Sequence, residues 1–210
     1  MPNTQTTSVT VGIPRGKDAP VVRAAGSEDE AVAVNVIVLA FATDPVARWA
    51  TPDPAKYLAV MPAFVHAFGG NGFAHGSVDI VGDGSGAAMW LPPGVEPDSE
   101  RMEAAMAGNV PESVLPDLGA VIEEMGKSHP DEPHWYLPVI GVDPMLHGRG
   151  LGSVLLRHAL ERADADGVPA YLESSNPRNI SLYERHGFEI IRTIQVGSSP
   201  PVVPMLRRPR

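Results

Sequence analysis

The stretch YLPVIGVDPMLHGRGLGSVLLRHAL, residues 136–160, decides the fold. It begins as an apolar run typical of a buried strand, is interrupted by an Asp-Pro pair, and continues with a pattern typical of a helix. Gly148, Gly150 and Gly152 lie between the two. A helix that follows a strand and a glycine-rich turn presents the free N–H groups of its first turn at the end of a sheet. Because no side chain obstructs them, the turn is predicted to bind phosphate or pyrophosphate.

Two common nucleotide-binding motifs match the sequence of this turn only in part. A Walker loop needs lysine before its serine or threonine, and here Gly152 precedes Ser153 directly. A dinucleotide fingerprint would begin at Gly148 and place Ser153 at its third glycine, with Glu173 about 20 residues on, in the position of a ribose-binding acid. Its first glycine should follow the strand directly, but residues 143–147 intervene. The dinucleotide site remains an alternative.

The same residues resemble the GNAT superfamily of acyl-CoA-dependent N-acyltransferases. Its signature is an apolar strand end, Asp-Pro, two residues, Gln or Arg, two residues, and two glycines separated by one residue. The segment from Val142 to Gly152 matches, except that His147 replaces Gln or Arg. A later motif also matches, in which Asn176 precedes Tyr183 by seven residues and Gly-Phe follows.

The resemblance covers roughly residues 21–206, and three segments are closest in motif to the branch that includes puromycin N-acetyltransferase. These segments are PHWYLPVIGVDP, GVPAYLESSNPRNISLYERHGFE and AAMWLPPG.

The order of apolar patterns predicts a mixed α/β domain over residues 21–210. Strands are predicted at 21–25, 73–81, 86–91, 130–142, 169–175, 188–196 and 202–206, and helices at 27–42, 53–70, 98–108, 113–129, 150–166 and 177–187. Ser27 is the expected N-cap of the first helix, and a kink or a restart of the second is expected near Pro62. Pro138 indicates a bulge in its strand or, as the favoured alternative, a simple irregularity of a buried strand. The resemblance implies a GNAT-like, mostly antiparallel sheet of six to seven strands, with one splayed pair and helices on both faces.

The resemblance also implies the site that holds the acyl donor, acetyl-CoA. The main chain of the strand end is expected to pair with the pantetheine arm, and the turn is expected to hold the pyrophosphate. Contacts with the donor are expected from Ile140, Gly141, Val142, His147, Gly148, Arg149, Gly150, Leu151, Gly152, Ser153, Asn176, Asn179 and Tyr183. Asn176 has an alternative role as a helix cap, and Arg149 an alternative role as a solvated side chain.

Acyl transfer needs a neutral amine and a proton for the departing thiolate. The resemblance makes Tyr183 the proton donor, and Glu173 on the preceding strand is a candidate base. His134 and Tyr136 alternate onto one strand face and, with Trp90 and Trp135, are candidates for an acceptor pocket. In each case ordinary packing is the alternative. His66, His75 and His129 show no partner in the sequence pattern and are interpreted as ordinary residues.

Composition excludes several classes of function. The chain has no cysteine, so disulfides and thiolate nucleophiles are excluded, and the seven histidines lack metal-site spacing, so no metal is expected. A net charge of −9 argues against nucleic acid as a partner. The first 20 residues resemble neither a leader nor a membrane segment, so a flexible arm over residues 1–20 and a cytoplasmic location are expected.

The function predicted from these patterns is transfer of an acetyl group from acetyl-CoA to a primary amine of a small molecule. The transfer is predicted to be direct, in a ternary complex without an acyl-enzyme. The alternatives are an NAD(P)-dependent oxidoreductase with a Rossmann-like site and a CoA-binding sensor without activity. A homodimer is expected only from the resemblance. The acceptor is left open between a small molecule and a protein amine.

Overall fold

Seven strands form one sheet in the computed structural model, which describes residues 20–210. The arm predicted for residues 1–20 lies outside the described residues, apart from Pro20. The strands are β1 Val22–Ala24, β2 Val78–Val81, β3 Gly86–Leu91, β4 Trp135–Val142, β5 Ala170–Ser174, β6 Glu189–Ile190 and β7 Val203–Arg207. Their order is β1-β2-β3-β4-β5-β7-β6, and among residues 20–210 only the β4–β5 pair is parallel. The mixed, mostly antiparallel sheet is therefore confirmed.

Helices cover both faces of the sheet, as expected. They are α1 Glu30–Ala40, α2 Pro45–Ala50, α3 Pro54–Gly69, α4 Ser99–Met106, α5 Leu115–Gly126, α6 Leu151–Asp166 and α7 Ile180–Arg185. On one face, α1 and α3 pack against alternate residues of β2, β3 and β4, including Ile80, Met89 and Val139. On the other face, α6 and α7 pack against residues that include Trp90 and Leu137. Because successive side chains of a strand point to opposite faces of the sheet, the same strands contribute residues to both cores.

Four local predictions differ from the structure. Ser27 is not the N-cap of α1, since it opens a 3-10 turn and Asp29 precedes the helix. The strand predicted from residue 73 starts at Val78, because residues 70–75 form a 3-10 helix. Helix α3 does not restart at Pro62. The predicted helix 177–187 is a 3-10 turn followed by α7.

The bulge considered for Pro138 is present. Met89 pairs with Val139, but Leu91 pairs with Tyr136, so β4 carries one more residue than β3 between the two pairs. Proline has no N–H for a ladder, and an inserted residue accommodates it. The bulge lies where β4 begins to leave β5.

Candidate active site

Strands β4 and β5 separate halfway along β4. They pair at Trp135–Ala170, Tyr136–Tyr171 and Leu137–Leu172, whereas β4 continues to Val142 and β5 to Ser174. On its other edge β4 stays paired with β3 as far as Val142. The edge of β4 that faces β5 is consequently open over residues 139–142, which include the predicted donor contacts Ile140, Gly141 and Val142.

Gly141 has a packing reason for lacking a side chain. A Cβ built on it would lie 2.7 Å from Cβ of Ala40 and 3.1 Å from Cα of Ile37. Helix α1 therefore lies directly on the splayed part of β4. Sequence analysis assigned Gly141 to the donor strand but could not detect this close approach, because it joins residues about 100 positions apart.

The glycine turn lies between the open strand edge and α6. Asp143 starts it by accepting a 2.8 Å hydrogen bond from the Met145 N–H. Gly148 and Gly150 have φ of +76° and +79°, and no atom lies within 4 Å of a Cβ built on either. The first intrahelical bond of α6 runs from the Val154 N–H to the Gly150 carbonyl. The preceding N–H groups therefore have no acceptor within the helix and face the open turn.

His147, the departure from the usual motif, is tied back to the strand. Its Nε2 lies 3.2 Å from the carbonyl oxygen of Val142, the last residue of β4. The imidazole thus links the two ends of the turn. Arg149 is exposed, in keeping with either of the roles considered for it.

A basic groove of about 430 Å³ adjoins the first turn of α6. Ser153 Oγ lies 2.5 Å from His186 Nε2 at its wall, and Arg157, Arg185 and Arg210 contribute positive charge. Burial, followed by the charges of these and other arginines, lowers the pKa of His186. Glu161 and Asp164 also line the groove, but its four arginines outnumber them. An excess of positive charge therefore lies beside an imidazole whose pKa is lowered.

Tyr183 is buried on α7, with 6% of its surface exposed, and its ring packs edge-on against Phe188 at a centroid distance of 6.1 Å. Burial raises the pKa of its phenol, and the negative charge of Asp44 raises it further. The phenol therefore keeps its proton near neutral pH, as a proton donor must.

Asp44 was not identified from the sequence as a site residue. It is 5% exposed, and its Oδ1 caps α2 by accepting 3.0 Å hydrogen bonds from the N–H groups of Val46 and Ala47. Its Oδ2 accepts a 2.7 Å bond from the hydroxyl of Ser175, just beyond β5. Burial raises the Asp44 pKa. The Asp-Pro pair at 44–45 is a sequence signal for the cap, but nothing in the sequence indicates the contact with Ser175.

The two asparagines of the later motif lie at helix starts. Asn176 Oδ1 accepts a 3.1 Å bond from the Arg178 N–H, which is the capping role considered as its alternative. Asn179 precedes α7 without a side-chain cap. Of these two asparagines, only Asn179 has a side-chain amide that does not cap a helix.

Glu173 follows the last β4–β5 pair and lies in a cluster with Tyr136, His129 and His134. The Tyr136 hydroxyl donates a 2.8 Å hydrogen bond to Glu173 Oε2, and His129 Nδ1 lies 3.8 Å from Glu173 Oε1. The Nε2 atoms of His129 and His134 are 2.9 Å apart. Burial, and then the charge of Glu173, raises the pKa of Tyr136 well above its usual value. The structure brings together three predicted site residues here.

His129 and His66, for which the sequence pattern showed no partner, both have one in the structure. His129 joins the Glu173 cluster, and His66 Nε2 lies 2.8 Å from Glu30 Oε1. Their partners are distant in sequence or on another helix, so no local spacing reveals them.

Trp90 is not part of this cluster. It is 1% exposed and packs in the core under α6, with Trp135 on the same face. The Trp135 indole donates a 2.8 Å bond to Asp166. Tyr136 belongs to a different buried cluster, with Leu91, since successive residues of a strand point to opposite faces. The structure thus does not bring the tryptophans together with His134 and Tyr136.

Among residues 20–210, no three His, Asp or Glu side chains are grouped as a metal site requires. Over the same residues, every helix is too short or too polar to cross a membrane.

Comparison with known proteins identifies the fold. Residues 111–188 match the family model of the acetyltransferase (GNAT) family. An uncharacterised N-acetyltransferase of Schizosaccharomyces pombe is 27% identical over 201 residues, covering 87% of this chain and 81% of that protein. The crystal structure described as histone acetyltransferase HPA2 and related acetyltransferase from Corynebacterium glutamicum has a TM-score of 0.66 at 26% identity, covering 92% of this chain and 98% of that one. The family match over residues 111–188, this relative and this structure all support the GNAT superfamily.

Two further acetyltransferases match over a shorter stretch or at lower identity. The mycothiol acetyltransferase of Beutenbergia cavernae is 41% identical over 73 residues, which are 33% of this chain and 25% of that protein. The chain therefore spans only a quarter of that relative. The structure of an agmatine N-acetyltransferase variant has a TM-score of 0.61 at 18% identity. The match covers 91% of this chain and 100% of the other, so the two share the fold.

The GNAT acetyltransferase match and the N-acetyltransferase relative support an acyltransferase, as the resemblance implied. The Rossmann-like alternative does not fit, because β4 pairs antiparallel with β3, whereas a doubly wound sheet is mostly parallel. The finer resemblance to the puromycin N-acetyltransferase branch stays a prediction.

Proposed function

We propose that this GNAT protein transfers an acetyl group from acetyl-CoA to the primary amine of a small molecule, by direct transfer in a ternary complex. The observation that carries the proposal is the open edge of β4, which leads into the glycine turn and α6, with buried Tyr183 on the neighbouring helix. Family members use acetyl-CoA, and this geometry suits its long, anionic shape.

The donor's pantetheine arm would pair with the main chain of Ile140, Gly141 and Val142, as an added strand does. Its pyrophosphate would receive hydrogen bonds from N–H groups of residues 147–153, at the positive end of α6. The arginines of the adjoining groove supply further positive charge for phosphate. Asn176, Asn179 and Tyr183 complete the proposed set of donor contacts.

In the proposed reaction, Glu173 accepts a proton from the acceptor ammonium, and the neutral nitrogen attacks the thioester carbonyl. A C–N bond forms, the C–S bond breaks, and Tyr183 donates its proton to the departing sulfur. The acylated nitrogen then loses its second proton, which reprotonates the Tyr183 phenolate. Without cysteine, the chain has no thiol for an acyl-enzyme, which supports direct transfer. The raised pKa of Tyr183 suits a donor that stays protonated until the thiolate forms.

A cationic amine is the acceptor class best supported. The chain has a net charge of −9, and the carboxylates of Asp44 and Glu173 lie nearly buried around the splay. A buried carboxylate favours a cationic partner, because a buried charge without one is costly. One protein of the same fold is an agmatine N-acetyltransferase, and agmatine is a cationic amine of this kind. His134 and Tyr136 are proposed acceptor contacts beside Glu173.

The function is tested by measuring free CoA thiol released from acetyl-CoA with a panel of amines. The panel includes agmatine, polyamines, puromycin, amino acids and short peptides. Amine-dependent release supports the proposal, and the preferred amine identifies the acceptor class. Confirmed binding of acetyl-CoA without release for any amine would favour the CoA-binding sensor instead.

Tyr183→Phe tests the proton donor in the same assay. We expect kcat to fall by about 10²-fold or more, because a missing general acid typically costs 10²–10⁴-fold. Affinity for acetyl-CoA should stay within about twofold, since one buried hydroxyl is removed and the ring is kept. Wild-type turnover in this variant would exclude the tyrosine from the mechanism.

A further inference from the structure

The Glu173 carboxylate lies close to a histidine that reaches the protein surface. The Glu173 side chain is 6% exposed, and its Oε2 accepts the hydrogen bond from the Tyr136 hydroxyl. Its Oε1 faces Nδ1 of His129 at 3.8 Å, and the His129 side chain is 29% exposed. His129 therefore lies between the buried carboxylate and water.

The hydrogen bonds around the two histidines fix where their protons lie. His134 Nδ1 is 2.7 Å from the Glu132 carbonyl oxygen, which only accepts, so Nδ1 carries the proton. Burial lowers the pKa of His134 and favours its neutral form, in which Nε2 is an acceptor. His129 Nε2, 2.9 Å away, must then be the donor. The free lone pair of neutral His129 is consequently on Nδ1, the atom that faces Glu173.

The surroundings hold the His129 ring in this orientation. The rings of His134, Tyr136 and Tyr171 pack edge-on against it, with centroid distances of 4.7, 4.9 and 4.7 Å. The Tyr171 hydroxyl is buried and finds no hydrogen-bond partner among residues 20–210. Beyond Glu173 and these rings, the charges that act on the cluster are those of Glu96 and Arg192.

We infer that His129 removes the proton that Glu173 takes from the acceptor amine, an inference that rests on the proposed function. The amine N–H bond breaks and a Glu173 O–H bond forms. That proton then moves to His129 Nδ1, leaving an imidazolium beside a regenerated carboxylate, and a water at the partly exposed ring takes the Nδ1 proton, which restores the starting tautomer. One proton enters and one leaves in each turnover, and no electrons are transferred.

In this scheme His129 acts through Glu173, and His134 fixes its tautomer. The two histidines are positioning and relay residues, while Glu173 touches the substrate. A small diffusible base can replace a relay but cannot replace a purely structural side chain. Rescue by added imidazole therefore separates the two roles.

The experiment compares His129→Gln with the wild-type enzyme over a range of imidazole concentrations. Glutamine keeps an amide that can face His134 but cannot carry a proton. We expect kcat to fall on the order of tenfold, less than the 10²–10⁴-fold of direct acid–base catalysis, with KM for acetyl-CoA unchanged. Imidazole should restore kcat in proportion to its concentration. The matched control is His75→Gln, at an exposed histidine outside the cluster, which should behave as wild type.

Three results would overturn the relay. They are wild-type kcat in His129→Gln, a low kcat that imidazole does not restore, and a neutral His129 with its proton on Nδ1. The last is measured by ¹⁵N NMR of histidine-labelled wild-type protein and does not depend on activity. Full activity in Glu173→Gln would instead overturn the base of the proposed function. A loss in Glu173→Gln combined with an unaffected His129→Gln would overturn the relay alone.

Discussion

Gly150 shows how a single residue serves both the turn and the ligand. Its φ of +79° is a left-handed conformation that costs other residues about 1–2 kcal/mol. No atom of residues 20–210 lies within 4 Å of a Cβ built there. The absent side chain is therefore not explained by packing, and the proposed phosphate contact supplies the reason for open space.

We predict that Gly150→Ala lowers both stability and affinity for acetyl-CoA. The free energy of unfolding should fall by about 1–2 kcal/mol from the left-handed φ, and the methyl group should weaken binding by obstructing the phosphate. Gly167→Ala is the matched control, because Gly167 ends the same helix with φ +67° and an equally open Cβ position. Calorimetry should show similar stability losses and a binding loss in Gly150→Ala only. Equal affinities in the two variants would contradict the proposed phosphate site.

Single residues were predictable from the sequence where a local motif defines them. The glycines of the turn and the cap of Asn176 follow from spacing and residue type. The contacts of Asp44 and His129 were not predictable from local sequence. Asp44 meets Ser175 and His129 meets Glu173, and both partners lie at a strand end far away in the chain. For Trp90 the sequence left core packing and an acceptor pocket open, because the alternation of a strand does not say which face is the site.

At the scale of elements, one ion pair joins β1 to the start of α1. Arg23 Nη1 and Nη2 lie 2.6 and 2.7 Å from the two carboxylate oxygens of Asp29, and the Gly26 N–H donates to the same carboxylate. The hydrogen bond from Arg23, and then that from Gly26, lowers the pKa of Asp29 to about 2. The unfolded chain binds this proton more readily than the folded one.

The folded state should therefore lose this stabilisation as the pH falls from about 4 to about 2, and keep all of it above that range. Arg23→Gln should make the stability change over this pH range smaller, because Asp29 then titrates closer to its ordinary value. Urea unfolding between pH 2 and pH 6 measures the change, with Arg101→Gln as a control at another exposed arginine. The same pH dependence in both variants would show that Asp29 is not the responsible group.

The elements with long, strongly patterned sequences were predicted well. Strand β4 and helix α6 have apolar runs of clear periodicity, and the bulge near Pro138 follows from the chemistry of proline. Helix α2 has six residues, too few for a period to be recognised, and it was missed. The β2 boundary was misplaced because apolar residues near Phe73 belong to a 3-10 helix that glycines permit.

For the whole molecule, binding of acetyl-CoA should raise the free energy of unfolding by about 2.7 kcal/mol at a concentration 100 times Kd. NADH is the matched control ligand, since it also carries an adenosine pyrophosphate. We expect a rise in Tm with acetyl-CoA and no rise with NADH. Stabilisation by NADH alone would contradict the proposed donor.

The overall architecture was predicted from two motifs in the correct order, which imply the GNAT sheet with its splayed pair. The strand order β1-β2-β3-β4-β5-β7-β6 was not predicted. Placement of β7 between β5 and β6 depends on pairing over long sequence distances, such as Leu172 with Met205, which residue patterns do not encode.

The ladder between β4 and β5 has one more consequence. It contains only three residue pairs, so it contributes little to the stability of the sheet. Its main effect is to set which residues of β4 lie opposite which residues of β5. A slip of one residue would turn Glu173 to the opposite face, away from Tyr136. The three residues 167–169, which join α6 to β5, set this alignment, and the Pro169 carbonyl fixes its start by accepting from the Trp135 N–H at 2.8 Å. The length of a connection remote from the glycine turn thus determines whether the acid–base cluster forms.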